Sequence, residues 1–363
     1  MESQTDMQAK GRTVAVFGAA GHTGRFIVAE LLRRGFVPVA IGRDARKMSD
    51  AGLPSGVAVR IASVDDSASL DQAFAGAEAV INCAGPFMDT AEPVAAAALR
   101  AGIHYLDVSA EQASAQAIFD KFGDAAREAG VIFIPAMGFY GGFADLLATA
   151  AIGDWDARDG IAEIRVGIAL DSWHPTVGTR MTGQRNTARR LEIEGGEFVP
   201  LEQPAPQSMW DFPEPFGRQD VSNVPFSEVP VIAHHLKVER LRTYLNNAPL
   251  RDLRDSSTPS PVAVDASGRS AQRFLVDVVV RKRNETRRAT AQGRDIYAFT
   301  APLVVEAVER ILDGRVRGSG AVAPGEIFYA GDFLRALARE HLILEIYNNR
   351  CAFSEDPLIA IMR

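Results

Sequence analysis

The sequence predicts an α/β chain: a doubly wound parallel-sheet domain over residues 11–152, then an α+β domain carrying a mixed or antiparallel sheet over 153–315. Three observations carry this. Short β-branched runs alternate with helical patterns through the first 150 residues, as βαβ units do. A strand-like run, Thr13 to Phe17, passes directly into Gly18-x-x-Gly21-x-x-Gly24 and then into an amphipathic helix. Beyond Trp155 the pattern changes to an alternating one at 273–281 and 286–293 around the turn Lys282-Arg283-Asn284-Glu285, which predicts an antiparallel hairpin.

In order along the chain, strands are predicted near 13–17, 37–41, 57–62, 79–83, 103–108 and 131–135. Helices are predicted near 23–34, 66–75, 90–101, 111–129 and 143–152. Gly35, Gly102 and Gly130 stand where helices stop, and Thr90 is the predicted N-cap of a helix whose first turn holds Glu92 and Pro93. Six such strands suit the strand order 3-2-1-4-5-6. In the second domain, 161–170 reads as a strand, Thr179 to Leu191 as helix-compatible, and 200–230 as a long ordered excursion rich in Pro and aromatics. A helix over 299–313 has Pro302 in its first turn, and the segment 316–363 is expected to return to the first domain.

Bulk properties narrow the function. The chain has 363 residues, 47% hydrophobic and 23% charged, the composition of an ordinary globular protein. A net charge of −7 opposes binding to nucleic acid by bulk electrostatics. Two cysteines, Cys83 and Cys351, make neither a disulfide framework nor a metal-ligand spacing, and His234-His235 point to opposite sides of a strand, so no metal site is expected. Residues 1–10 are polar and no apolar run reaches membrane-spanning length, so a cytoplasmic protein without a membrane partner is expected.

The glycine turn is what a dinucleotide pyrophosphate needs. Gly18 makes the tight turn, Gly21 admits the phosphates without a Cβ, and Gly24 lets the helix lie on the strand while its N-terminus offers free N–H groups. An NAD site usually places Asp or Glu about 20 residues on, at the end of the second strand. Here Arg43 holds that position with Arg46 and Lys47 close behind, which favours the 2′-phosphate of NADP; NAD stays open because Asp44 could reach a ribose.

With these residues in place, the sequence resembles a known family. VAVFGAAGHTGRFIVAELLRRG, AIGRDARK, INCAGPF, AGIHYLDVSAE and IPAMGFYGGFADLLA, in this order over residues 12–152, are similar to the saccharopine dehydrogenase or reductase-like oxidoreductases, a group that includes trans-acting enoyl reductases. The likeness implies an NAD(P)-binding Rossmann domain, a substrate domain inserted before a C-terminal return, and a redox reaction on a C=N, C=O or C=C bond. It fades beyond Trp155.

The expected cofactor-binding residues are Gly18, Ala20, Gly21, His22, Thr23, Gly24, Arg43, Lys47, Ser63, Val64, Cys83, Ala84, Gly85, Pro86 and Phe87. Hydride transfer asks that the acceptor carbon be held about 3–3.5 Å from its donor, and that a side chain supply any proton. Asp107, Glu111 and Tyr140, at the ligand-facing ends of the fifth and sixth strands, are the catalytic candidates; Tyr105, His174 and Arg180 are the substrate-binding ones. Against these stand plainer readings: Glu111 and Asp145 as helix-start acids, His104 and Cys83 as core residues, and Arg281, Lys282, Arg283, Arg287 and Arg288 as a solvated edge. Two classes fit: an NADP(H)-dependent oxidoreductase of a small molecule, possible as a homodimer, and a catalytically inactive NADP-binding redox sensor or interaction protein.

Overall fold

The computed structural model describes residues 11–155 and 160–347; Cys351 and the polar leading segment lie outside the described residues. The first domain runs β1 (Thr13–Phe17), α1 (His22–Arg33), β2 (Val37–Gly42), α2 (Ala45–Ser49), β3 (Ala58–Ile61), α3 (Ser67–Phe74), β4 (Ala79–Asn82), α4 (Phe87–Ala101), β5 (His104–Asp107), α5 (Gln112–Glu128), β6 (Ile132–Ile134) and α6 (Gly142–Ile152). These strands pair in parallel in the order β3-β2-β1-β4-β5-β6. Central strands covered by helices on both faces need apolar side chains pointing both ways. Hence Val14, Val16 and Ile81 enter one core while Ala15, Phe17 and Val80 enter another.

The second domain runs β7 (Glu163–Leu170), α7 (Val177–Arg185), β8 (Leu191–Glu194), β9 (Glu197–Pro200), β10 (Gln207–Asp211), β11 (Arg218–Asn223), α8 (Glu228–His235), β12 (Arg240–Asn246), α9 (Asn247–Arg254), β13 (Arg273–Lys282) and β14 (Glu285–Arg294). The chain then forms α10 (Ile296–Leu312), β15 (Gly320–Ala321), α11 (Pro324–Ile327), α12 (Ala330–Ala338) and β16 (Ile343–Tyr347). The second sheet is mixed, with β7 parallel to β12 and antiparallel to β13. Its inner face (Ile164, Val166, Ile168, Leu170) packs into the same core as Phe143, Leu146 and Leu147 of α6. The two domains are therefore built on one shared core.

Several expectations are corrected. The segment 316–363 divides: β15 pairs with β6 as a further parallel strand of the first sheet, whereas β16 pairs with β14 in the second. Thr90 is not an N-cap. Helix α4 starts earlier, at Phe87, and the Thr90 hydroxyl donates to Ala84 O while accepting from Asn82 Nδ2 at 3.2 Å. Pro302 likewise lies well inside α10, which begins at Ile296. The hairpin turn stands where expected, with Lys282 paired to Glu285 and Arg283-Asn284 as its two loop residues, Arg283 at φ +55°. Its basic residues are not merely solvated: Arg288 binds the buried Asp277 at 2.7 Å through two nitrogens, and Arg287 stacks on Trp155 and bonds Asp154. Among the described residues, no helix is long and apolar enough to cross a membrane.

Candidate active site

The glycine turn leaves β1 with Gly18 at φ +85°, a backbone state open to glycine at little cost. A Cβ there would lie 2.8–2.9 Å from Ala84 N, Cα and Cβ, so this turn packs directly on the loop after β4. A Cβ on Gly24 would run into Gly18 O and Ala19, which holds α1 tight against the turn. Gly18 N and Ala19 N donate to Ile41 O, and Gly21 N to Gly18 O. The amides of Ala20, His22, Thr23 and Gly24 donate to no acceptor among the described residues. Four free N–H groups at and just before a helix N-terminus are available to an anion. His22 packs edge-on against Phe26 and Tyr297; desolvation lowers its pKa, so the ring is neutral near pH 7.

At the end of β2, Arg43 and Lys47 are exposed, and neither forms an ion pair among the described residues. Asp44 is already engaged, its carboxylate capping α2 by accepting from Arg46 N at 3.0 Å and Lys47 N at 3.1 Å. Ser63 and Val64 follow β3, half-buried, with Ser63 bonded to Asp65 at 3.2 Å.

The loop Cys83-Ala84-Gly85-Pro86-Phe87 is braced from below. Asn82 Oδ1 accepts from Ala84 N at 3.0 Å, and Glu111 accepts from Phe87 N at 2.8 Å and Met88 N at 3.0 Å. Desolvation, with Asp107 nearby, pushes the Cys83 thiol well above its ordinary pKa, which makes it a poor nucleophile. Helix α7 covers this loop from the second domain: a Cβ on Gly85 would meet Thr182 Oγ1 at 2.8 Å, and Arg185 bonds Asp89 at 2.9 Å.

The catalytic candidates divide sharply. Asp107 is fully buried and accepts from Tyr105 Oη at 2.8 Å, Ser109 N at 2.9 Å and Ala136 N at 2.9 Å. It splices the ends of β5 and β6. Desolvation raises its pKa against those bonds. Glu111 is also buried, and both its oxygens are taken by the start of α4. Tyr105 has no exposed surface. Tyr140 differs: its ring lies tilted 4.2 Å from Phe226 and stacks 5.6 Å from Trp173, while its buried hydroxyl has no hydrogen-bond partner among the described residues. Desolvation raises its pKa well above the ordinary value, so it holds its proton. His174 is half-buried on the loop before α7. Arg180 is spent on the carbonyls of Thr258 (2.6 Å) and Asp255 (3.4 Å).

His104 is structural, its Nδ1 accepting from Ile132 N at 3.0 Å. Asp145 stands in the first turn of α6, where it was expected to complement the helix dipole, and is also a buried clamp between His235 Nε2 and Gly325 N, each at 2.6 Å. Sequence reasoning missed Tyr297, whose hydroxyl gathers Trp173 Nε1 (3.0 Å), Thr179 Oγ1 (2.9 Å) and Thr176 N (3.4 Å) beside His22. It carried no motif. A cavity of about 510 Å³ between α5 and residues 317–327 is lined by none of the predicted site residues.

Residues 18–147 match the family described as NAD(P)H-binding. A saccharopine dehydrogenase-like oxidoreductase of Bos taurus is 32% identical over 145 residues, 35% of this chain and 34% of that protein. A lipid droplet localized protein of Caenorhabditis elegans is 32% identical over 139 residues, 35% of this chain and 33% of that protein. The chain thus matches about a third of the length of these curated relatives. Saccharopine dehydrogenase (L-Glu forming) of Saccharomyces cerevisiae has the same fold, with a TM-score of 0.64 at 15% identity, covering 93% of this chain and 100% of that one. Residues 18–147 thus match an NAD(P)H-binding domain, part of the chain is similar in sequence to saccharopine dehydrogenase-like oxidoreductases, and the two-domain architecture is alike in fold to saccharopine dehydrogenase.

Proposed function

We propose that the protein is an NADP(H)-dependent oxidoreductase that transfers a hydride between the nicotinamide and a small-molecule C=N, C=O or C=C substrate. The observation that carries this reading is the cradle at the start of α1, where Gly18 and Gly24 admit no Cβ and four amides are left without protein acceptors. Ala20, His22, Thr23 and Gly24 would hold the diphosphate with Gly21 beside them. Arg43 and Lys47 would hold a 2′-phosphate; the engagement of Asp44 in capping α2 favours NADP over NAD. Ser63 and Val64 would border the adenosine, and residues 83–87 the nicotinamide end. When bound, the reduced coenzyme supplies the hydride.

The chain's own residues orient and protonate. Glu111 fixes the main chain of Phe87 and Met88, and Asp107 fixes the two strand ends. Both act as positioning residues. Of the three catalytic candidates, Tyr140 is the one whose protonated hydroxyl is not already bonded, so it is the proton donor in this reading. His174 and Arg180 stand on the substrate side. A cytoplasmic setting, absence of a nucleic-acid partner, and pairing of second domains into a homodimer belong to the same reading.

The test is oxidation of NADPH against a panel of imines, ketones and enoyl compounds. Turnover of at least one member is expected, and Tyr140→Phe should lower kcat at least about 100-fold, the scale of general acid catalysis, while NADPH still binds. Failure of both NADPH and NADH to bind at about 100 μM, within the usual range for enzymes, overturns the reading.

A further inference from the structure

Tyr297 stands where three parts of the candidate site meet. It is the second residue of α10, and the buried carboxylate of Asp295 seats it by accepting Tyr297 N at 3.1 Å, Ala298 N at 3.0 Å and Ser270 N at 2.7 Å. Asp295 does so at φ +60°, a conformation that residues with a Cβ rarely adopt. Helix α10 lies along α1 in the same direction. Near its start Tyr297 packs edge-on against His22 at 5.5 Å, and further on Glu306 and Glu309 bond Arg34 past the end of α1. The Tyr297 ring therefore rests on the residue that opens α1 at the cradle.

Its hydroxyl has a set direction. Trp173 Nε1 and Thr176 N are both donors, so the Tyr297 oxygen accepts both, at 3.0 and 3.4 Å, and its single proton goes to Thr179 Oγ1 at 2.9 Å. Thr179 in turn donates to Thr176 Oγ1 at 3.0 Å, which also accepts Thr179 N at 3.1 Å. Burial raises the Tyr297 pKa, so that proton stays in place near neutral pH. One hydroxyl thus holds the first turn of α7 and the indole of Trp173, which stacks on Tyr140.

Helix α7 has little else to hold it. None of its nine residues is buried, and Val177 and Met181 are 69% and 42% exposed. Its grips are polar: Tyr297 at the start, the carbonyls of Asp255 and Thr258 for Arg180, and Asp89 for Arg185 at the end. An element with so little apolar packing opens at small cost. Between its ends Thr182 lies on Gly85, so α7 reaches from beside the cradle to the loop after β4. Building on the oxidoreductase reading above, we infer that Tyr297 is a positioning residue: it holds α7 over residues 83–87 and, through His22, ties that placement to coenzyme binding.

Hydrogen exchange of the α7 amides, read by mass spectrometry on the whole protein with and without NADPH, tests this. Tyr297→Phe keeps the ring against His22 and removes the hydroxyl. Thr179→Val removes the same bond from the half-buried side, and Thr179→Ser keeps it. In wild type, NADPH should slow exchange over 179–185. In Tyr297→Phe and Thr179→Val, exchange without coenzyme should be about tenfold faster, the scale of one or two lost hydrogen bonds. Saturating NADPH should no longer slow it, and Thr179→Ser should behave as wild type. A Tyr297 that only packs would leave the slowing by NADPH intact. Wild-type exchange rates in both variants, or bound NADPH that slows wild type no more than the variants, overturn the proposal. Failure of NADPH to bind wild type removes the cofactor reading, while the comparison of the free proteins still decides whether Tyr297 holds α7.

Discussion

Glu111 caps a helix to which it does not belong: its carboxylate accepts the Phe87 amide at 2.8 Å, 24 residues back in the chain. The loop expected to wall the nicotinamide is thus held by the acid expected to do chemistry. Removing that acceptor strands a buried donor, which costs about 1–3 kcal/mol. Glu111→Ala should lower unfolding free energy in urea by about 2 kcal/mol. It should also weaken NADPH severalfold, because residues 83–87 lose their brace. Unchanged stability with abolished turnover would instead return Glu111 to a catalytic role.

Arg43 makes a separable prediction. A charge-assisted bond to a phosphate contributes about 1.5–3 kcal/mol, or roughly 10–100-fold in affinity. Arg43→Ala should weaken NADPH by that factor and NADH by less than twofold, read by nicotinamide fluorescence. Equal losses for the two coenzymes would place the side chain elsewhere.

Arg34 joins the domains at the far end of α1. It bonds Glu30 at 2.7 Å and, on α10, Glu306 at 2.5 Å and Glu309 at 2.9 Å. Desolvation pushes the pKa values of Glu30 and Glu306 up, but arginine hydrogen bonds outweigh it and both are lowered. A lowered folded-state carboxyl pKa stabilises the fold above the ordinary glutamate value, and that stability disappears as pH falls through the folded value. Arg34→Met leaves these carboxylates short of a partner and should cost about 3 kcal/mol at neutral pH. The gap should narrow below about pH 4, where the stranded acids protonate. Chemical denaturation of both proteins across pH 3–8 measures it.

The architecture was legible where local chemistry and tertiary role coincide. Gly18 and Gly24 signal a turn in the sequence and are sterically required in the fold. The alternation at 273–281 reported a strand because one face of it is core. What stayed hidden depends on distant partners. Asp107 and Glu111 look like catalytic acids at strand ends, and only their saturation by main-chain amides reveals them as braces. Phe226 and Tyr140 lie far apart in sequence and meet only when the second domain folds over the first. β15, two residues long, is too short to leave a periodic trace.

That short strand has a biosynthetic consequence. With Gly320–Ala321 as its border, the parallel sheet stays unfinished until the whole second domain and Ala321 have left the ribosome, long after β6. Until then Ile132–Ile134 presents an open margin that any extended peptide can occupy, whether from a chaperone or from another nascent copy. A premature stop or a protease nick within the substrate half would therefore also injure the nucleotide half, although not one of its own codons had changed.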